Sequence, residues 1–246
     1  MFPIRDHNPS GGTPFVTLAL IAVNVLVFLG YYTTLEGWPL MRFFMEWGLV
    51  PARLAQGQGY GTLLTHMFLH GGWMHLIGNM LFLWIFGDNL EEEMGRIGFL
   101  LFYLGSGLAA AALQIAADPG SGAPMVGASG AVAGVMGGYL LLYPKARVDV
   151  LLFFVIFFRV FALRAWIVLG LWFGLQLVSG VSTPTEGGGV AYWAHIGGFL
   201  AGLVLVLPVW LRRGGRGYWR RTHGEPPHPE AKYPLSPSRI PRVPRR

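Results

Sequence analysis

The chain has 246 residues, 53% of them hydrophobic and only 12% charged, with a mean hydropathy of +0.50. Soluble domains carry about 25% charged residues, so this composition argues against a water-soluble globule. The net charge of +6 would point to nucleic acid in a soluble protein, and the absence of cysteine removes disulfide, zinc-finger and iron–sulfur readings. Glycine, with 36 residues, is far above its usual ~7% share and follows no Gly-X-Y period. Glycine-rich, long apolar stretches indicate closely packed transmembrane helices.

Thr13–Tyr32 is the first run long enough to cross a bilayer. Only Arg5 precedes it as a basic residue and no Ala-x-Ala site follows, so it is expected to be a retained helix and not a cleaved signal peptide. Leu35–Tyr60 mixes Trp38, Phe43, Phe44 and Trp47 with Glu36, Arg42, Glu46 and Arg53, as suits a segment at the membrane–water interface. A second span is expected over Gly71–Gly87, followed by a short polar loop with Asp88, Glu91, Glu92, Glu93 and Arg96. The third is Ile97–Ala117 and the fourth Val126–Tyr143. Val150–Phe158 is too short to cross, since a spanning helix needs ~20 residues, and reads as an interfacial or re-entrant loop. Phe161–Val181 is the fifth span, Ser182–Gly189 a glycine-rich loop and Val190–Leu211 the sixth span.

The expected fold is thus an all-α, polytopic bundle of six transmembrane helices over residues 1–211. Residues 212–246, with ten Lys/Arg and seven Pro and no apolar periodicity, read as a solvated, disordered tail. Six spans place both termini on one side, with 16 of the 18 Lys/Arg; only Arg42 and Arg53 fall on the other. The positive-inside rule then makes the termini cytoplasmic. The basic excess becomes an orientation signal of the tail, which could also touch anionic lipid headgroups. Nucleic acid is not needed to explain it.

In that orientation spans two, four and six run inward from the outer face. His75 and Asn79 on span two, Ser129 on span four and His195 on span six then lie at similar depth, about 6–12 Å down their helices. Polar groups are costly inside a membrane, and their convergence from three helices marks a polar interior site. Gly127 and Gly130 flank Ser129 closely, leaving its hydroxyl unshielded, and a helix N-terminus there favours an oxyanion. Serine needs a base, and His195 is placed to be one. The stripes Gly130/Gly134/Gly138 and Ala194/Gly198/Gly202 let spans four and six approach closely. No carboxylate lies at this depth, so the pattern is a Ser–His dyad without a third member. Taken singly, Ser129 also fits a packing residue and His195 a histidine bonded to a neighbouring helix carbonyl. His66 and His70, at i and i+4, lack the other ligands of a metal site, so no metal or cofactor is expected.

The strings His66-Met-Phe-Leu-His70-Gly-Gly-Trp-Met-His75-Leu-Ile-Gly-Asn79, Gly127-Ala-Ser-Gly130 and Ala194-His195-Ile-Gly-Gly198-Phe-Leu-Ala-Gly202 resemble the rhomboid intramembrane serine proteases, as does Trp47-Gly-Leu-Val-Pro-Ala-Arg53. The resemblance covers residues 12–211 and implies the prokaryotic six-helix form in a bacterial cytoplasmic membrane. It implies Ser129 as nucleophile, His195 as base and then acid, and His75, Asn79 and the Ser129 N–H as oxyanion hole. It further implies single-pass membrane proteins as substrates, cut near the outer face, with the bilayer as the other partner; no feature specifies an oligomeric state. Ser182–Gly189 corresponds to a cap over the site, His66 and His70 to residues shaping the outer loop, and Glu91 to a structural glutamate. Two departures stand out. Ala133 replaces an aromatic residue that in some members stacks beneath the catalytic histidine, and Gly59-Tyr60-Gly61 replaces a Trp-Arg pair of the first loop. A non-catalytic, client-binding relative of these proteases is the competing class, with loss of nucleophile or base as its expected mark.

Overall fold

The computed structural model describes residues 2–154, 157–183, 189–227 and 230–231. From the N-terminus, strand β1 (Phe2–Asp6) leads into α1 (Phe15–Tyr32), followed by the short α2 (Gly37–Trp47), α3 (Pro51–Ala55) and α4 (Thr62–Thr65). A 3-10 turn at His66–Phe68 opens the way to α5 (Trp73–Ala117) and α6 (Ser129–Leu142). Strands β2 (Arg147–Phe154) and β3 (Phe157–Arg164) precede α7 (Ala165–Ser182), α8 (Tyr192–Leu205), α9 (Leu207–Arg212) and α10 (Arg216–Thr222).

Among the described residues, four helical runs are long and apolar enough to cross a membrane: Phe15–Tyr32, Trp73–Ala117, Ala165–Ser182 and Tyr192–Arg212. Within the second, Gly95 has φ 70° and ψ 168°, which divides α5 into residues 73–94 and 96–117. That left-handed φ is open to glycine and strained for most other residues. α6 is shorter, at 14 residues, and every residue from Gly130 to Tyr139 is buried. It is the axis against which α5 and α8 pack. The contact with α8 requires glycine: a Cβ on Gly198 would collide with the Gly130 carbonyl, and one on Gly202 with the Gly134 carbonyl. Gly138, expected in the same seam, instead faces Phe102 and Leu90 of α5, and Gly137 takes its place against Phe199.

Three expectations need correction. The polar segment 88–94 is helical, because its acids are satisfied within the fold. The Glu91 carboxylate accepts from the Val16 and Thr17 N–H groups at 2.9 and 2.8 Å and from the Thr17 hydroxyl at 2.9 Å. A carboxylate at a helix N-terminus meets both unpaired donors and the positive end of the dipole. Glu93 pairs with Arg213 at 2.6 Å and accepts from Tyr143 Oη at 2.9 Å.

The second correction is to the all-α class and to the loop assigned over Val150–Phe158. β2 and β3 form an antiparallel hairpin, and β1 pairs with β2, completing a three-stranded sheet in the order β1-β2-β3. A run of valine, leucine and phenylalanine too short to span a membrane has the right length and residue types for a strand. β3 occupies residues up to Arg164, so the fifth apolar helix starts at Ala165 and not at Phe161.

Third, the basic segment begins folded. α10 buries Tyr218, and Trp219 Nε1 donates to the Leu141 carbonyl at 2.9 Å. The Ala231 N–H reaches the His7 carbonyl at 3.0 Å. The rest of the tail, residues 228–229 and 232–246, lies outside the described residues.

Candidate active site

The first loop is tied to the segment before α6 by backbone pairing of Leu49 with Met125, at 2.9 and 2.8 Å. Arg53 clamps it in turn, donating to the Met45 and Glu46 carbonyls at 2.7 and 3.1 Å, while Thr65 Oγ1 donates to the Trp47 carbonyl at 2.6 Å. These contacts anchor the loop where the Trp-Arg pair is absent.

His66 and His70 fix the approach to α5. The Gly127 N–H donates to the His66 carbonyl at 2.9 Å, and His66 Nδ1 lies 2.8 Å from the Thr62 carbonyl. Burial lowers the His66 imidazole to about 4 and His70 to about 3, with the nearby His75 adding to the latter, so both are neutral. Tyr31 Oη donates to the His70 carbonyl and accepts from its N–H, both at 2.7 Å. The His70 ring stands edge-on to His75, with centroids 5.1 Å apart.

At the start of α6, Gly127 has φ 134°, and a Cβ there would meet His75 Nε2 at 2.7 Å. Glycine is therefore required twice over, for backbone and for the imidazole beside it. Ser129 is the first residue of α6, so its N–H and those of Gly130 and Ala131 have no acceptor within the helix, whereas the Val132 N–H reaches the Ala128 carbonyl at 2.9 Å. His195 Nε2 lies 2.8 Å from Ser129 Oγ, within reach for proton transfer. Asn79 is buried, and its Nδ2 has no hydrogen-bond partner among the described residues. His75 Nδ1 accepts from the Gly71 N–H at 3.3 Å, which leaves Nε2 as the protonated nitrogen on the Gly127 side.

All four residues line one cavity of about 810 Å³, together with Met74, Phe82, Met136 and Trp172. No Asp, Glu, Lys or Arg is among its described lining residues, and no group of three or more His, Asp or Glu is placed to hold a metal ion among the described residues. Of the segment expected to cap the site, residues 184–188 lie outside the described residues.

The expectations from sequence omitted three residues near Ser129 and His195. Gln176 Oε1 sits 2.7 Å from His195 Nδ1, and the Trp172 ring lies 5.8 Å from the His195 ring at an interplanar angle of 36°. Gln114 Oε1 accepts from the Ala194 N–H at 3.1 Å and so anchors the start of α8. A signal for Gln176 was present: it is a lone amide in an apolar helix, six residues or ~9 Å before the end of α7, the depth of the other polar groups. Trp172 therefore supplies from α7 an aromatic contact that Ala133 cannot supply from α6.

Residues 57–212 match the family model described as the Rhomboid domain. The chain is 34% identical over 147 residues to rhomboid-like protein 11 of the Arabidopsis thaliana chloroplast, covering 58% of this chain and 50% of that protein. It is 32% identical over 204 residues to the rhomboid protease GluP of Bacillus subtilis, covering 80% and 36%. It is 29% identical over 195 residues to the mitochondrial rhomboid protein 1 of Saccharomyces cerevisiae, covering 76% and 51%. The matches thus span between about a third and a half of these relatives' length. With its apolar helices and a family match over more than half its residues, the chain belongs to the rhomboid family of multi-pass membrane proteins.

Proposed function

We propose that the protein is an intramembrane serine endopeptidase that cleaves single-pass transmembrane proteins with a Ser129–His195 dyad. The observation that carries this reading is the 2.8 Å contact between Ser129 Oγ and His195 Nε2 at the wall of a cavity whose described lining contains no Asp, Glu, Lys or Arg. The matched GluP, named a rhomboid protease, supports the same reaction class.

His195 Nε2 removes the hydroxyl proton as Ser129 Oγ attacks the scissile carbonyl. The resulting oxyanion takes hydrogen bonds from the Ser129 N–H, Asn79 Nδ2 and His75 Nε2. His195 then delivers its proton to the leaving amine. In the second half it activates a water that hydrolyses the acyl-enzyme, returning the hydroxyl to Ser129. Donors held in place before the reaction stabilise the transition state at little reorganisation cost.

The break at Gly95, which separates residues 73–94 from 96–117, supports a reading with six membrane helices, in which both termini lie on one side. The distribution of Lys and Arg makes that side cytoplasmic. Ser129 then lies toward the outer face, where a substrate's spanning helix would be cut, and the bacterial cytoplasmic membrane is the setting this form implies. The basic residues after Arg212 then belong to the cytoplasmic side, with α10 packed on the bundle before the remaining tail.

Reconstitution with a single-pass model substrate tests the reading. Ser129→Ala and His195→Ala are each expected to lower cleavage about 10³-fold or more with the fold retained. Wild-type cleavage by either variant would end the dyad assignment.

A further inference from the structure

We propose that Gln176 is the positioning residue of the catalytic base, holding His195 in the tautomer and orientation that a serine nucleophile requires; this rests on the reading of Ser129 and His195 given above. A side-chain amide oxygen carries only lone pairs, so the 2.7 Å contact of Gln176 Oε1 with His195 Nδ1 places the ring proton on Nδ1. A neutral imidazole has a single N–H, which leaves a lone pair on Nε2, 2.8 Å from Ser129 Oγ. In the opposite tautomer two lone pairs would face each other between Oε1 and Nδ1, and Nε2 could not accept the serine proton. One hydrogen bond on the far side of the ring therefore decides whether the near side is a base.

The same helix fixes the plane of the ring. Trp172 and Gln176 are four residues apart on α7 and share a face, and both reach His195. His195 is thus held edge-on by an amide and laterally by an indole, both from one helix. An amide does this without burying a charge, which suits a cavity whose described lining contains no Asp, Glu, Lys or Arg. The other imidazoles in the cavity's described lining are His66 and His75, and Tyr192 is its remaining titratable side chain.

The test uses the full chain in proteoliposomes with Gln176→Met and Gln176→Glu, read as kcat and KM from pH 5 to 9. Gln176→Met keeps the length and loses the acceptor, so kcat is expected to fall roughly 10- to 100-fold with KM changed less than about twofold. Gln176→Glu restores an acceptor and adds a charge that favours the imidazolium. It should recover kcat to within roughly tenfold of wild type and move the acid limb of the kcat/KM profile up by about one pH unit or more. In the wild-type protein, 15N shifts of His195 should report a protonated Nδ1 and an unprotonated Nε2.

Wild-type kcat in Gln176→Met, an unmoved acid limb in Gln176→Glu, or the Nε2–H tautomer in the wild type would each overturn the proposal. The 15N measurement needs no variant to fold. Cleavage by Ser129→Ala would remove the underlying dyad instead. Inactive Ser129→Ala and His195→Ala beside wild-type Gln176 variants would remove the role of Gln176 alone.

Discussion

The two ends of the bundle are built on opposite electrostatic terms. At the end carrying the strands, charges are numerous and engaged. Asp149 receives Arg5 at 2.6 Å and His7 at 2.8 Å, Glu91 caps α1, and Glu93 holds Arg213. Asp149 is held below its usual range because the hydrogen bonds from His7 and Arg5 outweigh the opposing effect of burial. At the end carrying Ser129 the described cavity lining contains no Asp, Glu, Lys or Arg, and its polar side chains are imidazoles, amides and hydroxyls. Close helix packing there comes from Gly130, Gly134, Gly198 and Gly202 and not from ion pairs. The difference teaches two ways of holding helices together: one end is tied by charged groups and their hydrogen bonds, while the other is closed by glycine contacts around a buried Asn79 Nδ2 that has no partner among the described residues.

That contrast is open to challenge at both ends. The largest effect is expected at the site end, where Asn79→Ala removes one uncommitted donor. Cleavage should fall roughly 10- to 100-fold with KM and thermal unfolding nearly unchanged. A loss of stability without a loss of kcat would make Asn79 a packing residue and blur the comparison.

At the strand end the opposite pattern is expected. Glu91→Ala leaves the Val16 and Thr17 N–H groups and the Thr17 hydroxyl without their acceptor, costing on the order of 2–4 kcal/mol of stability. The kcat of the folded fraction should stay close to wild type. A protein equally stable without Glu91 would show that the end is not locked by this contact.

The test that sharpens the contrast most is on pH. Burial pushes the Asp6 carboxyl up to about 8, against an opposing hydrogen bond from Tyr139 and with support from Asp88 nearby. The folded state then binds a proton that the unfolded state releases above its ordinary value of 3.8. This contribution to stability is complete at low pH and is lost as pH rises from about 4 to about 8. His66 and His70 behave in the opposite sense: lowered to about 4 and about 3 from 6.5, they stabilise the fold above pH 6.5 and weaken it as pH falls toward those values. Thermal unfolding against pH should therefore show an alkaline loss that Asp6→Asn removes and an acid loss that it leaves in place. An alkaline loss unchanged in Asp6→Asn would contradict the assignment.

Much of the site was legible because depth in a membrane can be counted along the chain. About four to eight residues of helix carry a side chain a fixed distance, so His75, Asn79, Ser129 and His195 could be placed together before any contact was known. Gln176 was equally countable, but an amide outside the recognised strings carries no chemical label of its own. The hairpin was not legible, since a short apolar run is shared by strands and re-entrant loops, and β1, its partner, lies at the far end of the chain. The helical state of residues 88–94 was hidden for a related reason. Four acids in seven residues read as solvated until Thr17 and Arg213, remote in sequence, supply their partners. Arg213 and Trp219 likewise turn the start of a basic tail into a packed element.

The central claim is that His195 makes Ser129 nucleophilic. Labelling of the reconstituted protein with a fluorophosphonate, followed by identification of the modified residue, tests it most directly. The account predicts a single adduct on Ser129, absent in Ser129→Ala and slowed about 10³-fold or more in His195→Ala. Labelling of Ser129 at the wild-type rate in His195→Ala, or an adduct elsewhere in the cavity, would contradict it.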